Sequence, residues 1–179
     1  MPLHPPVLAG AFLRHFTVAV FVVHDGRVLL HYHRQLGKWL PPGGHVEDNE
    51  LPDDAAEREV LEETGIRVRL VGGRGLPIEN PRQLVIPAGI QVEDIYPGHQ
   101  HIDLVYFAVP DVTDPMALEI APHLAANDQV GWHGPDALPT LGATAEIQAW
   151  AARAVGELGG QASPGPHPSA IPVGEELSI

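Results

Sequence analysis

Between Gly44 and Ile66 the chain carries Gly44, Glu50 and then Arg58-Glu59-Val60-Leu61-Glu62-Glu63-Thr64-Gly65-Ile66. Pro52 suits a first helical position, Asp53 and Asp54 complement the positive end of a helix dipole, and Gly65 suits a left-handed stop. The pattern predicts a helix from about Pro52 to Thr64, with Leu51 as a poor N-cap. In that helix Glu59, Glu62 and Glu63 fall at i, i+3 and i+4, so they project from one face, spread over about 100°. Like charges at i,i+4 cost about 0.2–0.5 kcal/mol per pair. A helix that gathers acid in this way needs something cationic to hold, and a divalent ion with hard oxygen ligands is the natural candidate.

The rest of the composition narrows the setting. A chain of 179 residues, 44% hydrophobic, is long and apolar enough for one domain with a real core. Its formal net charge of −13, from 23 acids against 10 bases, argues against a broad nucleic-acid or membrane footprint. The same charge would repel a phosphorylated substrate unless metal were bound. There is no Cys, which excludes disulfides, thiolate metal sites and a Cys nucleophile. The opening Met1-Pro2-Leu3-His4-Pro5-Pro6 is a poor signal peptide, and no apolar run approaches the ~18 residues that span a bilayer, so a soluble cytoplasmic protein is expected.

Along the chain, Phe16–Val23 and Arg27–His33 read as two strands of a hairpin turning at Asp25-Gly26. Lys38-Trp39-Leu40 is a short extended stretch, and Pro41-Pro42-Gly43-Gly44 is a rigid and then permissive turn. Arg67–Val71 reads as a strand. Residues 83–87 and 90–92 suggest one strand interrupted at Pro87-Ala88-Gly89, or a hairpin. Ile102–Val109 is the most apolar strand, and Gln129–Trp132 is a short one. Ala143–Leu158 reads as a closing amphipathic helix with Ile147, Trp150, Ala151 and Val155 as its core stripe. Residues 159–179 have the composition of a disordered tail, and 1–12 that of a loose arm, leaving a domain at 13–158. Strands, one acidic helix, more strands and a final helix imply an α+β fold with a mixed central sheet and helices over its faces.

The spacing Gly44-x5-Glu50-x7-Arg58-Glu59-Val60-x-Glu62-Glu63-x-Gly65-Ile66 resembles the signature of the Nudix hydrolase family at every defined position. The flanking strands and closing helix also resemble its α/β/α sandwich, so the likeness covers roughly residues 14–158. The resemblance implies hydrolysis of a diphosphate linkage joining a nucleoside to another group: a nucleoside triphosphate, a nucleotide sugar or a dinucleotide. It implies Mg²⁺, with Mn²⁺ as the substitute, as cofactor. The residue types agree, because such chemistry needs charge neutralisation and in-line positioning more than covalent catalysis. Carried over by position, Glu59, Glu62 and Glu63 are the implied metal ligands, joined by a backbone carbonyl at Gly43 or Gly44. Glu59 is also a candidate for orienting or deprotonating the water. Arg58 is expected to brace the site, pairing with Glu50 and with Glu62, while Gly65 ends the helix. Glu47, Asp48, Asp53, Asp54 and Glu57 read as surface or dipole-complementing acids.

Weaker constellations lie outside this signature. His99, His101 and Asp103 alternate onto one face of a strand, where they could line the substrate pocket, hold a transition metal or simply be solvated. His31, His33, Arg34 and Lys38, the one lysine, precede the acidic segment, and Arg34 and Lys38 are candidates for receiving substrate phosphates. Trp39 is expected to face the core, and the role of His45 is open. A loop residue could supply the general base instead of Glu59, with Asp128 favoured over Glu93-Asp94. A small nucleotide is the expected partner, long nucleic acid and membrane are not, and a homodimer is left open. The runner-up function is a nucleotide-sensing domain without catalysis, although such domains usually lose the signature carboxylates that this chain keeps. An isomerase of related fold would need the Cys that is missing here.

Overall fold

The computed structural model describes residues 12–111, 118–121 and 129–159. Its elements run β1 (Leu13–His24), β2 (Arg27–His33), β3 (Lys38–Leu40), β4 (Gly43–His45), α1 (Pro52–Thr64), β5 (Val68–Val71), β6 (Gly89–Tyr96), β7 (His99–Pro110), β8 (Val130–His133) and α2 (Ala145–Leu158), with a 3₁₀ turn at Pro135–Ala137. The β1–β2 hairpin turns where expected: Asp25 and Gly26 have φ of 46° and 68°, the paired positive values of a two-residue hairpin loop.

β1 organises the sheet. One edge pairs in parallel with β7 over ten positions, from Leu13↔His99 to Val22↔Ala108. The other edge is shared, with β2 taking Val23 and His24 and β4 taking Thr17–Ala19, both antiparallel. β7 likewise divides its far edge between β6 (to Val105) and β5 (from Phe107). Beyond the hairpin β2 leaves β1 and pairs with β3 and β8. The result is the expected mixed α+β sandwich.

Alternation along β1 and β7 sorts the core into two clusters. Val18, Val20, Val22, Leu104, Tyr106 and Ala108 pack under α1 against Ala55, Ala56 and Val60. Phe21, Val23, Val105 and Phe107 pack under α2 against Ile147, Ala151, Ala154 and Leu158. The small buried side chains of α1 let it sit close to the sheet, leaving its larger acids at one end. Trp150 and Val155 close the rim of the second cluster, and Trp39 packs there half-buried, as expected for a core-facing residue.

Three readings change. β1 and β7 begin three residues earlier than their apolar runs, because Leu13–His15 pair with His99–His101. Residues 83–87 form no strand: the edge of β7 beyond Val105 is taken by β5, and only an isolated Arg74↔Val85 bridge remains. Asp53 is not a surface residue. It is 6% exposed, and its Oδ2 accepts the Val85 N–H at 3.0 Å, tying the β5–β6 loop to the start of α1. Asp128, most of the arm at 1–12 and most of the tail at 159–179 lie outside the described residues. Among the described residues no helix is long and apolar enough to cross a membrane.

Candidate active site

Pro41 and Pro42 carry the chain from one strand group to another: Leu40 pairs with β2, and Gly43 pairs with β1. Neither proline offers an N–H, so the crossing makes no ladder demands, while the Pro42 carbonyl accepts Val20 N–H at 2.8 Å. The two glycines that follow are pinned by different neighbours. A Cβ at Gly43 would strike the Val18 carbonyl of β1, whereas a Cβ at Gly44 would fall onto the Glu59 carboxylate. Gly44 therefore keeps open the space that the first helix acid occupies.

α1 delivers the acids onto this edge. Its N-cap is Leu51, with no capping side chain, and it stops at Gly65, where φ is 77° and the N–H returns to Leu61 O. Arg58 is the hub. It grips Glu50 with two bonds, Nε to Oε1 at 2.7 Å and Nη2 to Oε2 at 2.9 Å. Nη1 donates to Glu59 Oε1 at 2.8 Å and to Glu62 Oε2 at 3.3 Å, and Nη2 reaches His45 O at 3.1 Å. The pairs expected with Glu50 and Glu62 are present, and those with Glu59 and the β4 backbone are additional. The Glu50 bonds, more than any other contact, hold Arg58 far above its ordinary pKa and pull Glu50 below the usual carboxylate range. Glu62 is the outer member, its side chain 60% exposed.

Glu63 is the inner member. Burial pushes it up to about 7, the nearby charges of Glu59 and Glu62 add to the rise, and the Gly43 N–H opposes it. That N–H donates to Oε2 at 3.0 Å. Burial also raises Glu59, against the pull of Arg58. His31 Nε2 lies 3.3 Å from Glu63 Oε2. Burial, then the neighbouring His33, push His31 down to about 4, so near pH 7 it is a neutral partner of the carboxylate and not a cation for phosphate. Its place in the signature's surroundings was legible, but its target was not, because β2 and α1 meet only through tertiary packing.

The other face of the sheet, beside β4, carries histidines. His99, His101 and Asp103 do share a face, and β1 adds His15 and β4 adds His45, neither of which alternation within one strand could reveal. Ring centres of His45 and His101 are 4.8 Å apart, those of His15 and His99 5.1 Å, and those of His99 and His101 5.0 Å. Burial, then His45, His99 and His15, push His101 down to about 4. Asp103, 7% exposed, accepts from Thr17 Oγ1 at 3.1 Å and Gln91 Nε2 at 3.3 Å. Gln91 in turn bonds Glu146 and Trp150 of α2, a connection the sequence did not suggest. Arg34 sits in the exposed turn after β2 and Lys38 is exposed on β3. Among the described residues neither pairs with the helix acids. Glu93 pairs opposite His101 on β6, on the far side of β7 from β1 and β4.

Among the described residues no three His, Asp or Glu side chains converge on a single ligation point. Glu59 leans on Arg58, and Glu63 on Gly43 and His31. Each is nonetheless held through one oxygen, so Glu59 Oε2 and Glu63 Oε1 have no partner among the described residues. Hard oxygens, a desolvated carboxyl and the space kept by Gly44 fit a Mg²⁺- or Mn²⁺-type ion.

A NUDIX domain model matches residues 13–155 of the chain. A hydrolase of the NUDIX family from Clostridium perfringens, 34% identical, aligns with a TM-score of 0.66 over 81% of this chain and 98% of its own. The Ap4A hydrolase of C. elegans, 16% identical, aligns with a TM-score of 0.54 over 82% of this chain and 97% of its own, a likeness of fold alone. A MutT-like protein of Streptomyces ambofaciens is 41% identical over 69 residues, 38% of this chain and 39% of that protein. An oxidized purine nucleoside triphosphate hydrolase of Danio rerio is 42% identical over 60 residues, 32% of this chain and 38% of that protein. The matched stretches thus span about two fifths of the length of these curated relatives.

Proposed function

The chain belongs to the Nudix family, and from that premise we propose that it hydrolyses a diphosphate linkage of a nucleoside triphosphate, with Mg²⁺ or Mn²⁺ as cofactor, releasing a nucleoside monophosphate and diphosphate. The observation that carries this reading is the acid face of α1. Glu59 lies against Gly44 and, with Glu62, is braced by Arg58, while Glu63 accepts the Gly43 N–H; Glu59 Oε2 and Glu63 Oε1 have no partner among the described residues. Those three residues, with a carbonyl of Gly43 or Gly44, would hold the ion. When bound, the ion supplies charge neutralisation at the phosphates and a lowered pKa for the attacking water. Glu59 is the group we assign to orient that water and accept its proton, ahead of a loop residue such as Asp128, with Arg58 holding the carboxylate. His99, His101, Arg34 and Lys38 are the groups offered to the rest of the nucleotide. The nucleoside triphosphate is preferred to a nucleotide sugar or dinucleotide because a relative 42% identical over 60 residues is an oxidized purine nucleoside triphosphate hydrolase.

The test is a panel of nucleoside triphosphates, nucleotide sugars and dinucleotides with Mg²⁺ and product identification. The expected result is diphosphate and monophosphate from at least one triphosphate, with Glu62→Gln and Glu63→Gln lowering kcat by orders of magnitude while the fold, read by circular dichroism, is kept. Turnover surviving within a few-fold in Glu63→Gln would overturn the ligand assignment. Binding without turnover across the whole panel would make the domain a nucleotide sensor.

A further inference from the structure

β4 has the helix acids at its edge and histidines on its face. At the edge, Gly43 N–H donates to Glu63 Oε2 at 3.0 Å, and the His45 carbonyl accepts Arg58 Nη2 at 3.1 Å. On the face, His45 pairs with Thr17 of β1, so its side chain stands on the Thr17 side of the sheet. There its ring meets those of His101 and His15, with centres 4.8 Å and 5.3 Å away. His45 is nonetheless exposed, whereas His15 and His101 are half-buried and His99 is buried. The other imidazoles thus back His45. It meets solvent one residue, or about 3.8 Å between Cα atoms, beyond the glycine that the Glu59 carboxylate abuts.

A phosphate brought to the acid face needs hydrogen-bond donors as well as an ion. Arg58, the one arginine of the signature, commits its guanidinium to Glu50, Glu59, Glu62 and the His45 carbonyl. From Pro41 to Glu47 the chain carries two prolines, two glycines, His45, Val46 and Glu47. Val46 packs against the core, and an ionised carboxylate only accepts. His45 is therefore the side chain of that stretch that can donate, and even a neutral imidazole carries one N–H. We propose that His45 is a substrate-binding residue: its imidazole donates to a non-bridging oxygen of the substrate's diphosphate, with His15 and His101 holding the ring over the sheet. This deepens the reading above and rests on its diphosphate substrate.

The experiment measures binding of inorganic pyrophosphate with Mg²⁺ by calorimetry on the full chain, for the native protein, His45→Gln and His45→Phe. Mn²⁺ affinity without phosphate and the melting temperature are measured beside it. Phenylalanine keeps a ring against His101 and His15 and removes the donor, whereas glutamine keeps an N–H. His45→Phe is expected to weaken pyrophosphate by about 10–100-fold, the range for a hydrogen bond to a charged group, and His45→Gln to retain most of the affinity. Mn²⁺ affinity should be unchanged in both. For any triphosphate that is turned over, the loss in His45→Phe should fall mainly on KM. Native pyrophosphate affinity in His45→Phe would overturn the proposal, as would a native chain that does not bind pyrophosphate with Mg²⁺. An equal loss in both variants, or a loss of Mn²⁺ affinity alongside, would overturn it too, since the ring would then be supporting the strand or the acids. Pyrophosphate binding that depends on His45, in a chain that turns over no compound of the panel, would support the contact and defeat hydrolysis, so the two readings fail separately.

Discussion

Gly43 and Gly44 are neighbours with separate duties, and substitution tells them apart. At Gly44 the obstacle to a Cβ is the far end of the Glu59 side chain, which can swing aside. Gly44→Ala should therefore fold, with a melting temperature within a few degrees of native, and should lose about 100-fold in kcat/KM because a displaced carboxylate no longer meets the reacting geometry. At Gly43 the obstacle is the Val18 carbonyl and β1 backbone, which cannot swing. Gly43→Ala should lose stability first, by about 1–3 kcal/mol. Thermal melts beside initial rates separate the two, and a Gly44→Ala protein as active as native would remove Gly44 from the site. The acids and Arg58 were legible in the chain because their spacing along one helix is local. The extra bonds of Arg58 to Glu59 and His45 O, and the contact of His31 with Glu63, were not, since they depend on where β4 and β2 arrive.

α1 and α2 are stabilised at opposite ends. α2 starts at Thr144, whose Oγ1 accepts Ile147 N–H at 3.3 Å, whereas α1 starts uncapped at Leu51 and relies on its stop. At that stop Gly65 holds a left-handed φ of 77°, and an added Cβ would sit 2.7 Å from the Ala121 Cβ. Gly65→Ala combines a backbone penalty of about 1–2 kcal/mol with a side-chain collision. It should lower stability by about 2 kcal/mol or more, or about 4–8 °C for a domain of this size. Because Glu62 and Glu63 lie in the last turn, activity should fall as well. A melting temperature unchanged within a degree would show that the end of α1 can rearrange without cost. The helices and the β1–β2 hairpin were readable because their signals (period, caps and turn residues) lie within each segment. The segment at 83–87 has strand composition but no edge to pair with. The parallel β1–β7 pairing, which joins His15 to His99 and His101, leaves no mark in either strand alone.

The fold as a whole sets acids and histidines in competition as pH changes. His101 faces His15 from β1, His45 from β4 and His99 on its own strand, and Glu93 of β6 is paired opposite it. Burial and the three imidazoles lower its pKa to about 4 from 6.5, so between those values the unfolded chain binds a proton that the folded chain does not. Stability then rises with pH across that window and is lost as pH falls from 6.5 towards 4. Glu93 and Asp103, raised by burial, act in the opposite direction, favouring the fold as they protonate. The net slope between pH 7 and 5 is thus a contest that the native profile alone does not resolve, but removing one contestant does. His101→Gln keeps a polar side chain on β7 and deletes the imidazole, so it should weaken the loss of stability on acidification by about 1 kcal/mol or more at pH 5, or about 2–4 °C. At pH 7.5, where the imidazole is neutral in both states, the substitution should have little such effect. Melting temperatures from pH 7.5 to 4.5 for both proteins, with the difference plotted against pH, give the answer. Parallel profiles would mean that His101 protonates in the folded chain as readily as in the unfolded one, and that the imidazoles around it do not act as a group.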